Sequence, residues 1–580
     1  MFCKTVGRTS QVRLASQVRL ASQVRVANIV LAALAIFYVT LGMFVLNDDA
    51  IYSGDIGVKF VEARALSASG FRSLDLPYPG AFLDPERLFF AMKPPFVIRT
   101  ATETQAIFPP ASSVVQAAGV ALGGVRGMIA LTVVAGIAAL WATGRMAAPE
   151  LRAATLLAVG LGGPLWFYAV SGWEHAQAMA AGTVAFALAM NVERDPTRSR
   201  VGPWVCLLAG AVLGFGVTQR DEVMLLAPGL LYLLWVREGN WRPVAAAAAG
   251  LAAVVLANTA VDVWWFGRPP AAHLRHAVHI VRGAWLGTEP GTDIPSLRPF
   301  SLRDRYETVV RYWLLGYGND ALIAAYVAAF AAALVLWRVA RTSAGLLVWL
   351  LAIAVLAAVD LADLITAPKW VPGMLRVSPF LVFALLPPPP GRAWTRVHGA
   401  LVLTVVAYLL LAFGGVDTTG GKGLGPRLLL PLFPIMGVAA ISSIGDYLGT
   451  GRRVDRAVGA LGGLLVAVAL CLHVSATIPA YIARNREDGS AIMAVKASPE
   501  RIVVSDDMFT AQLLMPIYFR KVVLVADAPG LASNLAARLA DARVGSVLLV
   551  SRDRPAVSLA PLQRTAVTER GRFIIETWTR

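Results

Sequence analysis

Four short polar clusters interrupt a largely apolar sequence, and their residue types suit two kinds of chemistry. Carboxylates that are partly shielded from water act as general bases. Guanidinium and ammonium groups beside glycine-rich backbone suit anions, phosphate above all. The clusters are Asn47-Asp48-Asp49 with Ser53-Gly54-Asp55 and Lys59, then Trp173-Glu174-His175, then Gln219-Arg220-Asp221-Glu222, and then the glycine-rich segment 420–427 with Lys422 and Arg427.

The acidic cluster has two interpretations. Asp48, Asp49 and Asp55 directly follow the first apolar segment. A surface helix over Val58 to Leu66 would shield them and tune the pKa of a general base. Acids after a first membrane helix are also commonly solvated loop residues. The spacing leaves all three aspartates open as the base.

The other clusters are candidates for substrate binding, each with a structural alternative. The Glu–His pair would relay a proton or orient a hydroxyl, or it is an ordinary interfacial turn. The arginine cluster would bind an anion, or it is a self-satisfied ion pair at helix ends. The glycine-rich segment would hold phosphate, or it is a flexible loop whose arginine reaches toward water. The residues concerned are Glu174, His175, Arg220, Glu222, Lys422 and Arg427.

The elements that position these clusters must lie in a membrane. Of the 580 residues, 57% are hydrophobic and only 15% are charged, whereas a soluble globular protein has about 25% charged residues. The apolar segments are continuous over about 18–25 residues, which fits membrane helices and excludes lipid-facing strands. The composition therefore indicates a polytopic α-helical membrane protein and excludes a soluble enzyme.

Charge orders the helices across the membrane. A count of about 13 transmembrane helices places most of the formal net charge of +16 on the cytosolic side. This count requires that Ala111 to Gly124 form a surface or re-entrant helix instead of a span. The four polar clusters then share the outer face, and the basic charge no longer indicates nucleic acid.

The sequence divides into three predicted parts. Residues 1–25 form a basic cytosolic tail, residues 26–482 form the membrane domain, and residues 483–580 form a small α/β domain outside the cytoplasm. The membrane domain carries outer loops at 47–126 and 267–318. The α/β domain is predicted to have a parallel sheet, from strands at 501–504, 522–525 and 544–550 and a helix at 531–542.

Metal binding has little support in the sequence. His273, His276 and His279 recur every third residue in the second outer loop, but no carboxylate completes a ligand set. The three cysteines lie far apart. No metal site is predicted, and a divalent cation, Mg²⁺ or Mn²⁺, stays open as a cofactor.

In their order and shared outward placement, the motifs resemble the GT-C superfamily of polytopic membrane glycosyltransferases. The motifs are the acidic loop through Leu66, Phe108-Pro109-Pro110, Trp173-Glu174-His175, Arg220 with Glu222, Phe266-Gly267-Arg268-Pro269 and Gly425-Pro426-Arg427. The resemblance implies a GT-C-like fold. It also implies transfer of a sugar, with inversion, from a polyprenyl-phosphate donor to an acceptor hydroxyl of an envelope glycan, lipid or protein outside the cytoplasm.

The resemblance further implies residue roles. Asp55 is the first choice for the base, although Asp48 and Asp49 also qualify. Arg427, Lys422 and Arg220 would hold the donor phosphate, while Glu174 and His175 would position the sugar or the acceptor.

The implied setting is the plasma (inner) membrane, with many spans, a cytosolic N-terminus, the bilayer as a partner and no nucleic acid. A transporter or flippase for a lipid-linked or anionic substrate is the alternative function. It requires polar residues near the middle of the membrane and discontinuous helices. The predicted spans are nearly free of charge at their centres, which favours the transferase.

Overall fold

The structure is a computed structural model. It describes residues 3–94, 96–99, 103–191, 202–268, 345–351, 373–389, 395–413, 424–552 and 557–580, with the single positions 309, 313, 328, 335, 353, 354 and 392. Lys422 and the histidines of the second outer loop lie outside the described residues. So do most of the residues at 319–338 and 344–362, where the sequence predicts two of the spans.

Helices make up most of the described chain as far as residue 497. They are α1 (Cys3–Thr40), α2 (Gly54–Ala68), α3 (Pro110–Met146), α4 (Arg152–Gly160), α5 (Leu165–Val170), α6 (His175–Asn191), α7 (Pro203–Gln219), α8 (Ala227–Glu238), α9 (Trp241–Trp264), α10 (Met374–Val377), α11 (Arg396–Phe413), α12 (Phe433–Leu448), α13 (Arg453–Leu472) and α14 (Ile478–Ala497). Short 3₁₀ helices at Asp221–Leu226 and Arg427–Leu432 lead into α8 and α12.

Among the described residues, five helices are long and apolar enough to cross a bilayer. They are Val18–Val45, Pro110–Met146, Trp241–Trp264, Arg427–Leu448 and Arg453–Ala497, and shorter apolar helices lie at His175–Met190, Pro203–Gln219 and Arg396–Leu410. These helices agree with a multi-pass membrane protein, while the count of about 13 spans stays a prediction. The predicted basic tail is helical from Cys3 and runs without a break into the first apolar segment.

Helix α3 contains a sharp kink at the end of the segment that the sequence separates from the following span. Gly123 and Gly124 leave helical geometry, and Gly124 has φ 60°, a region that favours glycine. A Cβ on Gly119 would lie 2.7 Å from the carbonyl oxygen of Gly127. Positions eight residues apart are about 12 Å apart in a straight helix, so the chain turns back on itself here.

The C-terminal part of the chain forms a five-stranded sheet. Its strands are β3 (Ile502–Ser505), β4 (Val522–Val525), β5 (Ser546–Ser551), β6 (Gln563–Arg570) and β7 (Phe573–Thr579). Strands β1 (Val97–Arg99) and β2 (Thr104–Ala106) form a separate hairpin in the first outer loop. Helices α15 (Met508–Leu513) and α16 (Pro529–Asp541) connect the first three strands of the five-stranded sheet. Helix α14 continues to Ala497 and so crosses the predicted domain start at residue 483.

The predicted parallel sheet is only partly right. Strands β4, β3 and β5 are parallel, but β7 and β6 are antiparallel, in the order β4-β3-β5-β7-β6. A tight turn with Gly571 at φ 58° joins the two antiparallel strands. Every residue of β6 is exposed, so this edge strand lacks the apolar pattern that marks a strand in the sequence.

The first outer loop packs against this sheet. Val525 donates a backbone hydrogen bond to the carbonyl oxygen of Phe89 at 2.8 Å, and Phe90 forms a bridge to Leu524. The buried carboxylate of Asp84 accepts the amide N–H groups of Leu88 and Phe89 at 3.0 and 2.7 Å. The loop therefore covers the β4 edge and joins the α2 region to the C-terminal domain.

Candidate functional site

Helix α2 carries three ionisable groups on one face. Asp55, Lys59 and Glu62 are four and three residues apart, which is the spacing of neighbours on a helix surface. Lys59 and Glu62 are fully buried, with relative exposures of 1% and 0%. Buried charges need partners, and each of these groups finds one on a distant segment.

Asp55 pairs with Arg427, 372 residues further along the chain. The Asp55 Oδ2 atom lies 2.5 Å from Nη1 of Arg427. The guanidinium also lies over the ring of Trp173, 5.2 Å from its centroid. Both side chains of the pair remain partly exposed, at 17% and 20%, so the pair is at the rim of the site.

Beneath this rim, Glu174 lies between two cations. Its Oε1 atom is 2.5 Å from Nζ of Lys59 and 3.2 Å from Nη1 of Arg220. Arg220 also donates from Nε to Oε1 of Glu222 at 2.8 Å. Lys59 further contacts the face of Phe108, 4.1 Å from the ring centroid. The contacts of Arg220 favour the ion-pair interpretation of its cluster.

Glu62 forms a second buried group at the far end of α2. Its carboxylate accepts hydrogen bonds from Ser113 and from the amide of Ala106. The Nη2 atom of Arg268 lies 4.0 Å from Oε1 of Glu62. Arg268 in turn donates to Oε1 of Gln105 at 2.7 Å. These contacts tie α2 to the start of α3 and to the end of α9.

Several buried polar atoms around Trp173-Glu174-His175 have no hydrogen-bond partner within the described part of the chain. They are both ring nitrogens of His175, Oε2 of Glu174, Nε1 of Trp173, the hydroxyl of Tyr168, Oε1 of Gln219 and Nε of Arg427. Buried polar groups are satisfied in more than about 90% of cases. Their concentration at this position indicates hydrogen-bonding capacity for a polar ligand.

The electrostatic setting separates the two carboxyls of α2. Burial acts to raise the pKa of Asp55, but the charges of Arg427, Lys59 and Arg220 outweigh it and lower this pKa below its usual value. For Glu62 burial prevails, and its pKa is raised in spite of Arg268. Asp55 is thus held as a carboxylate near the surface. Glu62 is buried among hydrogen bonds that join α2 to neighbouring segments, which indicates a structural role.

The sequence-predicted residues fall into two groups. Asp55, Glu174, His175, Arg220, Glu222 and Arg427 lie in or directly beside one connected cluster. Asp48 instead faces Arg126, with Nε 3.5 Å from its Oδ2, and Asp49 pairs with Lys496 at 2.7 Å. These two acids therefore lie in a separate set of contacts near the turn that precedes α2.

The sequence reasoning missed Glu62 and Tyr168. The seven-residue interval from Asp55 to Glu62 on one short helix was the available signal for Glu62. Nothing in the local sequence distinguishes Tyr168 from other interfacial aromatic residues. Among the described residues, no group of three or more His, Cys, Asp or Glu side chains is arranged to hold a metal ion.

Comparison with known proteins finds similarity to solved structures. No family model and no curated protein matches the chain. It is similar to ArnT from Cupriavidus metallidurans bound to undecaprenyl phosphate, with a TM-score of 0.48, 13% identity, and 95% of this chain and 97% of that chain covered. The oligosaccharyltransferase AglB from Archaeoglobus fulgidus, in complex with an inhibitory peptide and a dolichol-phosphate, has a TM-score of 0.45, 10% identity, and 90% and 69% coverage.

The apo form of the Archaeoglobus fulgidus oligosaccharyltransferase is also similar, with a TM-score of 0.46 and 11% identity. The match covers 90% of this chain and 69% of that chain. Because all these TM-scores are below 0.5, the similarities are not evidence for the reaction of this chain.

Proposed function

We propose that this chain is a membrane glycosyltransferase. It moves a sugar from a polyprenyl-phosphate donor to an acceptor hydroxyl on a glycan, lipid or protein outside the cytoplasm. The observation that carries the proposal is the contact of Asp55 with Arg427, 2.5 Å apart, at the rim of a buried charged cluster. A base and an anion-binding group are thereby adjacent.

Arg427 is the group best suited to the donor phosphate. Its Nη1 atom contacts Asp55, whereas its Nε has no partner among the described residues. A guanidinium can hold two acceptors at once, so Arg427 can bind a phosphate oxygen while it still contacts the base. Arg220 and Lys59 lie below it and are paired with Glu174 and Glu222. Lys422 is proposed as a further phosphate ligand from its place in the glycine-rich segment.

Asp55 is proposed as the general base. Its lowered pKa keeps it ionised at neutral pH, and it takes the proton of the acceptor hydroxyl as that oxygen attacks the anomeric carbon. The bond from this carbon to the phosphate oxygen breaks, the configuration inverts, and polyprenyl phosphate leaves. Negative charge grows on the leaving phosphate, which Arg427 stabilises.

Glu174 and His175 are proposed to orient hydroxyl groups. Both ring nitrogens of His175 and Oε2 of Glu174 have no partner among the described residues. The rings of Trp173 and Tyr168 lie 5.2 Å from the imidazole. Aromatic faces with a few polar atoms suit a sugar ring, which combines apolar faces with hydroxyl edges.

The proposed location is the plasma membrane, with a cytosolic N-terminus and the C-terminal α/β domain outside. This orientation puts the clusters of α2 and α6 on the side where lipid-linked donors replace nucleotide sugars.

Mass spectrometry of envelope glycans and lipids tests the function. Cells would contain the wild-type chain, Asp55→Asn at matched abundance, or no copy of the gene. We expect a glycosylated species with the wild type alone, and accumulation of its lipid-linked donor in the other two strains. An unchanged glycan and lipid profile in the strain without the gene would contradict the transferase. Donor accumulation on the cytosolic leaflet alone would favour a flippase.

A further inference from the structure

The segment that leads into the helix of Asp55 is held by the C-terminal part of the chain. Asn47 donates its backbone N–H to Oδ1 of Asn485 at 2.7 Å, and Arg484 donates to the carbonyl oxygen of Tyr52 at 3.2 Å. Both partners belong to α14, which leads directly into the C-terminal sheet. The segment between the first membrane helix and α2 is thus fixed by the C-terminal part of the chain.

Two glycines of α2 allow the C-terminal domain to approach closely. A Cβ on Gly54 would overlap Oε1 of Gln512 and lie 3.1 Å from its Cβ. A Cβ on Gly57 would overlap the backbone carbonyl oxygen of Gln512 and lie 2.9 Å from Cγ of Met515. Neither glycine has a positive φ, so close packing and not backbone conformation requires glycine here.

The glycines and the charged residues occupy different faces of α2. At about 100° per residue, Gly54 and Gly57 are displaced from the face of Asp55 and Lys59 by roughly a third of a turn or more. One face of the helix therefore contacts the charged cluster, and another contacts α15 and the 3₁₀ helix Met515–Ile517 of the C-terminal domain.

We infer that the C-terminal α/β domain is the positioning element for Asp55, acting through Gln512 and Met515 on the glycine face of α2. This inference rests on the proposed function. The domain fixes the position of α2 relative to Arg427, and so holds Asp55 at the distance that the reaction needs. Gln512 and Met515 are positioning residues, since they act on Asp55 through the glycine face of α2 that they contact.

Second-site substitution tests the inference in the full-length chain. In Gly54→Ala the overlapping atom is the end of the Gln512 side chain, so Gln512→Ala removes it. In Gly57→Ala the overlapping atom is backbone oxygen, so Gln512→Ala leaves the overlap in place. Gly530→Ala is the matched control, because a Cβ there meets no heavy atom within 4 Å although the residue lies in the same domain.

Transfer rate and amide hydrogen exchange over residues 54–68 are the two readouts. We expect Gly54→Ala and Gly57→Ala to lower kcat by about 10- to 100-fold, since a displacement of about 1 Å costs up to about 100-fold. The donor KM should stay near the wild-type value. Exchange in α2 should rise in both variants. Gln512→Ala should restore most of the rate and protection to Gly54→Ala and neither to Gly57→Ala.

The pH profile separates positioning from a loss of fold. A displaced α2 weakens the contact of Asp55 with Arg427, so the acid limb of kcat/KM should move to higher pH in Gly57→Ala. Wild-type rates in both glycine variants, or raised α2 exchange with an unchanged rate, would overturn the inference. Absence of transfer by the wild type would contradict the proposed function, while selective restoration of α2 protection by Gln512→Ala would still support the domain as the element that positions α2.

Discussion

The two ends of one acidic segment, Asp48-Asp49 and Asp55, differ in what surrounds them. The partner of Asp48 is Arg126, and both side chains are about half exposed, at 45% and 47%. Asp55 has Arg427 at 2.5 Å, and Lys59 on the same helix forms a fully buried ion pair with Glu174. Residue type and position in the sequence are alike at the two ends, so the partners supplied by distant segments distinguish them.

This difference has energetic consequences. Exposed ion pairs contribute about 0–1 kcal/mol, and each acid near the turn can be lost with little effect. In the α2 cluster, Lys59, Glu174 and Arg220 share their charges inside the protein. Removing one member leaves a buried charge with fewer partners, which costs far more.

The largest expected effect separates the two candidate bases. Asp55→Asn removes the general base and should lower the transfer rate by about 10²- to 10⁴-fold. Asp48→Asn alters only a half-exposed pair and should keep the wild-type rate. Both rates would be measured at equal protein abundance in membranes. A large loss with Asp48→Asn, together with an active Asp55→Asn, would reverse the assignment.

The second prediction concerns the pH dependence that Arg427 gives to Asp55. The pKa of Asp55 is lowered in the folded protein, so the acid limb of kcat/KM should lie below the ordinary aspartate value of about 3.9. Arg427→Gln should move this limb to higher pH and lower kcat by about 10²- to 10³-fold. An acid limb that does not move would show that Arg427 does not set the pKa of the base.

The third prediction compares two lysine–carboxylate pairs by stability. Lys59→Met leaves Glu174 buried with Arg220 alone, and should lower the free energy of unfolding by about 3 kcal/mol. Lys496→Met breaks the partly exposed pair with Asp49 and should cost about 1 kcal/mol or less. Unfolding in detergent would be followed for both variants. Equal losses would mean that the buried Lys59–Glu174 pair contributes no more to stability than the partly exposed Lys496–Asp49 pair.

Much of this arrangement could be predicted from the sequence. Membrane helices are continuous apolar segments, and the basic residues at their ends indicate which end is cytosolic. The sequence interpretation singled out the clusters of Asp55, Glu174, Arg220 and Arg427, and these lie together in the structure. The spacing alone could not choose among the three aspartates, although the resemblance placed Asp55 first. That choice depends on a contact across 372 residues, which no local pattern encodes.

Other features were hidden for different physical reasons. The antiparallel strand β6 is exposed along its length and carries no apolar alternation. Gly54 and Gly57 lie near the start of a helix, and nothing in the neighbouring sequence marks them as packing positions. Their role becomes visible only once Gln512 is known to contact them.

The most direct test is sugar transfer by the purified full-length protein in liposomes. The donor would be the polyprenyl-phosphate sugar that accumulates in cells without the gene, and the product would be the species that those cells lack. We predict that polyprenyl phosphate is released in equal amount to the transferred sugar, and that Asp55→Asn abolishes both. Movement of the intact donor across the bilayer without cleavage of its sugar–phosphate bond would contradict the account.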